Sequence, residues 1–160
     1  MATRYEELAK LAIEDSRKFY EERAACASCV SVSIAKLIEH WQAPNDAVAF
    51  ASLDGNLRAT GETSDQPDLE FSVESVWHFA IQIRFRTRGN LNYGVVTLYM
   101  SIHPAKSGYV LKFDEREFSV DPQLDDSFNS FVEYIYGSLS SDYGKPRRTR
   151  RPQIGFTAGV

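Results

Sequence analysis

Residues 69–87, LEFSVESVWHFAIQIRFRT, carry the pattern that most constrains the fold. Every second residue from Leu69 to Phe85 is apolar or small. This period of two is typical of a β-strand that buries one face and exposes the other. A straight strand of this length would span more than about 50 Å, which exceeds ordinary strand lengths. We therefore predict a long amphipathic strand that bends or bulges near residues 74–76.

The segment after this strand supplies its partner. If Gly89 and Asn90 form a two-residue turn, paired residue numbers sum to 179, and every apolar residue meets an apolar partner. The predicted pairs are Trp77 with Ile102, Phe79 with Met100, Ile81 with Leu98, and Ile83 with Val96. A slip of one residue would place this row against polar residues, so the turn and the burial predict the same register.

Helical periodicity occurs at both ends of the chain. Thr3 and Glu6 match a capping box, which predicts a helix over residues 3–22. A second helix is predicted to run to Trp41, before Pro44, and the alternative is one continuous helix. A third helix is predicted to begin at Asp121 and Pro122. Its apolar stripe comprises Leu124, Phe128, Phe131, Val132, Ile135 and Leu139.

The remaining segments complete an α+β fold. Asp54-Gly55 predicts a type I′ hairpin within residues 46–61, a polar surface loop follows over 61–68, and one strand over 108–120 bends near 114–117. We expect about five antiparallel strands, with two N-terminal helices and one C-terminal helix packed on one face. Residues 1–143 form the predicted single α+β domain. Residues 144–160 form a flexible basic tail, which we expect to be disordered.

Charge and composition exclude several classes of protein. No apolar run approaches the roughly 18 residues of a membrane helix, and the amino terminus lacks an apolar signal region. Only two cysteines are present, which favours a reducing compartment, so we predict a cytoplasmic protein without a membrane partner. The net charge is −4, but it is −9 without the five basic residues of the tail, and such an acidic body is not typical of a nucleic-acid binder.

The motif Cys26-Ala-Ser-Cys29 matches the CxxC pattern of redox enzymes and zinc sites. It falls within the helical segment rather than after a strand. The three histidines show no paired spacing that would complete a zinc site. We therefore predict buried, inert thiols, no metal site and no cofactor.

The second face of the predicted sheet offers recognition chemistry. Arginine, histidine and tyrosine on one face can hold an anion, stack on a base or anchor a protein partner. The alternative is an ordinary solvated face, which any one-sided antiparallel sheet must present. The candidate ligand-binding residues are His78, Gln82, Arg84, Arg86, Tyr93, Tyr99 and His103.

The basic tail is a second candidate for anion binding. Its cations are Lys145, Arg147, Arg148, Arg150 and Arg151, and the alternative is a solubilising extension.

These features predict a binding protein rather than an enzyme. The chain lacks a nucleophile elbow, a phosphate-binding glycine loop and an HExxH motif, so we assign no catalytic residue. The leading hypothesis is a homo-oligomer that engages a protein partner or a small anionic ligand through the polar face or a sheet edge. One alternative is a small pocket enzyme with His78 or His103 as general base. The other is a nucleic-acid-binding protein that uses the tail.

Overall fold

The protein is described by a computed structural model covering residues 1–86, 93–151 and 154–159, without the side chains of Tyr93 and residues 157–159. The helices are α1 (Arg4–Trp41) and α2 (Asn129–Tyr143). The strands are β1 (Val48–Leu53), β2 (Ala59–Ser64), β3 (Glu70–Phe71), β4 (Trp77–Phe85), β5 (Tyr93–Pro104), β6 (Tyr109–Phe113), β7 (Arg116–Val120) and β8 (Ile154–Gly159). Short 3₁₀ helices span Asp125–Phe128 and Arg147–Thr149. Within the described ranges, neither long helix is apolar enough to cross a membrane.

The described strands form one antiparallel sheet in the order β2-β1-β4-β5-β6-β7, with β3 paired to β4 and β8 paired to β5. The α+β class is confirmed, but the prediction of about five strands is wrong, because the described residues alone form eight. Two of the additional strands arise where a predicted strand folds back as a hairpin. The third comes from the tail.

The predicted register of the central hairpin is confirmed. Trp77 pairs with Ile102 and Ile83 pairs with Val96, as the sum of 179 requires, and the pairing continues to Phe85 with Gly94. The proposed turn at Gly89 and Asn90 lies outside the described residues. The inward row of β4 is buried as expected, since Trp77, Phe79, Ile81 and Ile83 are each at most 1% exposed.

Turns interrupt both of the segments that the sequence predicts as long strands. The segment from Leu69 to Phe85 breaks at residues 72–76, where Ser75 adopts a positive φ of 62° and β3 folds back onto β4. The interruption falls where the bend was predicted, but the chain reverses there into two paired strands rather than continuing as one bent strand. The segment from Tyr109 to Val120 is not one bent strand, because Asp114 and Glu115 have φ of 55° and 63°. Two successive positive φ values form the tight turn of a two-residue hairpin between β6 and β7.

The hairpin of β1 and β2 is present, but its turn differs from the predicted type I′ turn. The Asp54 N–H donates to the Arg58 carbonyl (2.8 Å), and Leu57 takes the left-handed conformation at φ 60°. The Asp54 carboxylate accepts hydrogen bonds from the N–H groups of Asn56 and Arg58, which favours this longer turn. Strand β2 then extends to Ser64, into the region predicted as a loop.

The two predicted N-terminal helices are one helix. Thr3 forms the predicted capping box with Glu6, and α1 continues without a break to Trp41, so the expectation of two helices is wrong. Gln42 ends it in the left-handed conformation. Helix α2 begins at Asn129 rather than at Asp121, because the intervening residues form a turn and a 3₁₀ helix.

Both helices contribute to one core on one face of the sheet. Cys26, Val30, Ile34 and Leu37 of α1, and Phe131, Val132, Ile135 and Leu139 of α2, join the inward row of β4 in a single cluster of buried side chains. The cysteines lie inside α1 as free thiols. Burial raises the pKa of Cys26 to about 12 and that of Cys29 to about 11, so both stay protonated at neutral pH.

The tail is part of the sheet, which differs from the expected disordered extension. Strand β8 pairs with Tyr93–Leu98 of β5, on the edge that β6 leaves open. Ile154 is 3% exposed and joins the core. The tail therefore closes an edge that would otherwise present unpaired backbone groups.

Candidate functional site

A cleft of about 1210 Å³ lies between the end of α1, the ends of β4 and β5, and the outer side of α2. This volume is above the roughly 300–1,000 Å³ of typical small-molecule pockets, so the cleft has room for such a ligand. Ile83 and Leu139, both buried in the core, form part of its lining. The Arg84 N–H donates to the Ala47 carbonyl (2.8 Å) and ties the connection after α1 to the end of β4.

Two pairs of aromatic side chains line the cleft. Trp41 of α1 contacts Tyr136 of α2 edge-on, with ring centroids 6.1 Å apart. Phe85 of β4 contacts Tyr143 of α2 in the same way at 5.9 Å. Gly94 of β5, which pairs with Phe85, leaves room for the Tyr143 side chain. A Cβ at this position would lie only 3.2 Å from the Tyr143 hydroxyl. These rings offer apolar faces on which a planar ligand can pack.

The indole nitrogen of Trp41 is enclosed by protein rather than exposed to the cleft. Its Nε1 is buried and has no hydrogen-bond partner among the residues that the structure describes. A buried donor without an acceptor costs about 1–3 kcal/mol.

Charged side chains surround the opening of the cleft. His40 Nε2 lies 2.5 Å from Glu133 Oε1, and this pair joins the last turn of α1 to α2. Arg84 and Arg86 line the side formed by β4, and Asp46 lies in the segment after α1. The lining of the cleft therefore carries charges of both signs.

No family model, curated protein or solved structure matches this chain. The arrangement of its own side chains is therefore the guide to its function.

The predicted ligand-binding residues do not form one site. Arg84 and Arg86 line the cleft. His78 and Gln82 precede these arginines in β4. His103 lies near the end of β5 that is farthest from Gly94 and the cleft. The separation from Gly94 to His103 along β5 is about 30 Å, too far for one small ligand. The backbone of Tyr93 pairs with Gly159, and its side chain is outside the described set.

Tyr99 makes a structural contact across the second sheet face. It stands opposite Ala80, which in turn pairs with Ala51 of β1. Its hydroxyl accepts a hydrogen bond from the Ala59 N–H at 3.2 Å, and Arg58 lies over its ring. The ring thus covers two fully buried alanines. This part of the second face is packed rather than open to a ligand.

His78 is half-buried beside β3. Burial lowers its pKa, although the nearby Glu74 carboxylate opposes this effect. Its Nε2 has no hydrogen-bond partner among the described residues. His78 and His103 do not line this cleft.

Two cations of the tail hold it in place. Arg151 binds the carboxylates of Asp142 (Nε–Oδ2 2.9 Å) and Asp114, and it donates to the Ser138 carbonyl. Arg150 stacks on Tyr143 and on Phe156 of β8. Lys145 forms an ion pair with Asp142 at 3.4 Å. Arg147 and Arg148 are exposed on the 3₁₀ helix.

Most of the cleft is not evident from the sequence. Trp41 and Phe85 continue apolar rows, and His40 and Glu133 lie in helical segments that also carry an apolar stripe. Trp41 ends a helix just before Pro44, and Phe85 ends a strand. Aromatic residues at the ends of elements are the sequence signal for this site.

Proposed function

We propose that the protein is a non-catalytic binding protein whose cleft takes a small ligand with a planar apolar body and an anionic group. The observation that carries the proposal is the aromatic wall of Trp41, Tyr136, Phe85 and Tyr143 in a cleft that Arg84 and Arg86 also line. The rings suit the apolar body, and the guanidinium groups suit a carboxylate, sulfonate or phosphate.

A titration with 8-anilinonaphthalene-1-sulfonate tests this proposal, because this dye combines an aromatic body with one anionic group. We expect one high-affinity site per chain. The Arg86→Ala variant should weaken binding about tenfold through loss of a charge-assisted contact. The Trp41→Phe variant should weaken it by roughly threefold, since the phenyl ring offers less aromatic surface than the indole.

Two control substitutions outside the cleft test whether the dye binds within it. Arg148→Ala removes an exposed arginine of the tail and should leave affinity unchanged. Leu8→Glu changes an exposed apolar residue of α1, far from the cleft, and should also leave it unchanged. Unaltered binding in Arg86→Ala and Trp41→Phe, or its loss in Leu8→Glu, would contradict the cleft as the site.

The alternatives predicted from the sequence stay predictions. For nucleic-acid binding, the contacts of Arg150 and Arg151 within the fold reduce the cations that the tail can offer to phosphates. For catalysis, His40 and Glu133 are the histidine and carboxylate that lie within hydrogen-bond distance at the cleft.

A further inference from the structure

The amino-terminal half of α1 has little cover in the single chain. The helix has 38 residues, or about 57 Å, and its buried side chains begin at Cys26. In this fully described helix, no side chain from residue 4 to residue 25 is buried. Phe19, Glu22 and Arg23 contact the segment before β4 or β4 itself, so about 22 Å of helix, residues 4–18, extends past these contacts.

The exposed half continues the apolar stripe of the buried half. Tyr5, Leu8 and Leu11 are 80%, 66% and 67% exposed, and they lie on the face that carries Cys26 and Val30 further along α1. Phe19 joins this stripe to the core, since its ring centroid is 4.9 Å from that of Trp77. An amphipathic helix half without a covering surface is marginal in water.

A second apolar surface lies beside the stripe. Phe71 contacts Phe19 at 5.2 Å and is 41% exposed, and Val73 in the following turn is fully exposed. With roughly 200 Å² for each large side chain when free, the stripe and this surface expose on the order of 800 Å² of apolar side chain. That is the area one partner contributes to an interface of standard size.

The stripe is complementary to itself. Leu8 and Phe19 are separated by three helical turns and lie on the same face, with the small residue Ala12 between them. A copy that runs antiparallel places its Leu8 on Phe19 and its Phe19 on Leu8 in one register. Such an arrangement has two-fold symmetry and therefore closes as a dimer.

Charge also favours a second copy over a membrane surface. Residues 4–23 contain five basic and six acidic residues, whereas helices that bind anionic lipid carry an excess of basic residues. Arg17 forms ion pairs with Glu14 and Glu21 within one chain, on the side away from the stripe. These charges stay in water when the stripe is covered.

We propose that residues 4–23 of α1 form an antiparallel helix pair with the same residues of a second copy, and that Phe71 and Val73 widen this interface. The dimer surface lies at the opposite end of α1 from His40 and Trp41 of the cleft. The two proposals are therefore tested separately.

The mass of the full chain in solution, measured by light scattering after size exclusion, tests the dimer. We expect twice 18.1 kDa for the natural chain at micromolar concentration. Leu8→Glu should raise the dissociation constant roughly a hundredfold or more, because each interface would bury an unpaired carboxylate. Ile13→Glu is the matched control, since Ile13 is 70% exposed but lies off the stripe, and this variant should stay dimeric.

Cysteine cross-linking tests the orientation. We expect an oxidised mixture of Leu8→Cys and Phe19→Cys chains to give a covalent dimer, whereas Leu8→Cys alone should not, because its two thiols would be about 16 Å apart. The natural thiols are buried and do not interfere. A monomeric natural chain, a dimeric Leu8→Glu variant, or a monomer that binds phosphatidylserine vesicles through Leu8 would overturn the proposal.

Discussion

The two ends of this chain reverse the expectations raised by their sequences. The amino-terminal end has the stronger pattern, with a capping box and a regular apolar stripe, yet residues 4–25 bury no side chain in this fully described helix. The carboxyl-terminal end has a basic run flanked by prolines, yet it supplies β8 and the buried residue Ile154. A local pattern thus indicates which face of a segment is apolar, whereas the surface that covers it depends on the rest of the fold.

The largest expected effect comes from the ion pairs that hold the tail. Asp142 is fully buried and binds Arg151 and Lys145. Asp142→Asn should lower the free energy of unfolding by about 3–5 kcal/mol, because the Arg151 guanidinium would lose a buried partner. Urea unfolding at pH 7 measures this loss, and a change below about 1 kcal/mol would mean that the tail contributes little to the fold.

The pH dependence of unfolding tests whether the stability lost in Asp142→Asn comes from the charge of the carboxylate. Burial would raise the pKa of Asp142, but the hydrogen bonds and charge of Arg151, with Lys145, outweigh burial and lower it. The carboxylate therefore stabilises the fold above its unfolded pKa of about 3.9, and this contribution falls as pH drops toward the lower folded pKa. The difference between the natural chain and Asp142→Asn should be constant above about pH 5 and shrink below about pH 4.

The next effect distinguishes β8 from a loosely attached extension. Ile154 is 3% exposed, so Ile154→Ala should cost about 2–5 kcal/mol through lost burial and a cavity. Thermal unfolding monitored by circular dichroism measures the cost. Stability equal to that of the natural chain would contradict the placement of β8.

A smaller effect is expected where the buried half of α1 meets the exposed half. The Trp77 indole N–H donates to the Glu22 carboxylate at 3.0 Å. Glu22→Ala should cost about 1–3 kcal/mol, because it leaves a buried donor unsatisfied. Glu21→Ala, in the exposed ion pairs of the neighbouring position, should change stability by less than about 0.5 kcal/mol. Equal effects of the two variants in urea unfolding would place the boundary of the packed half elsewhere.

The smallest effect is expected in the exposed half itself. At protein concentrations below the dimer dissociation constant, Leu11→Ala should change the free energy of unfolding by less than about 0.5 kcal/mol, because Leu11 makes no buried contact. Leu37→Ala, at 0% exposure in the same helix, should cost about 2–5 kcal/mol. A large effect of Leu11→Ala in dilute monomer would show that the exposed half packs within one chain.

Parts of the fold that depend on local chemistry were predictable from the sequence. The register of β4 and β5 follows from the alternation of Trp77 to Ile83, and the start of α1 follows from Thr3 and Glu6. The hairpin of β6 and β7 was not predictable in the same way. Asp114 and Glu115 adopt positive φ, where turn signals usually involve glycine or asparagine.

The cleft could not be predicted because it is assembled from distant segments. Trp41, Arg86 and Tyr143 come together only when α1, β4 and α2 pack on one core. The alternation of residues along β4 indicates that the two arginines at its end lie on the polar face of the sheet. The polar residues of that face do not form one surface, because Tyr99 packs on Ala80 between them. Strand β8 was hidden because glycine alternates with Ile154 and Phe156, which leaves a weak strand signal after a basic run.

Hydrogen–deuterium exchange of the full chain at several protein concentrations tests the contrast between the two ends most directly. We expect slow exchange at every concentration for those amides of residues 154–159 that bond to β5. Exchange in residues 4–19 should slow as concentration rises, because the second copy covers this half of α1. Fast exchange at every amide of residues 154–159, or concentration-independent exchange in residues 4–19, would show that the contrast between the two ends is wrong.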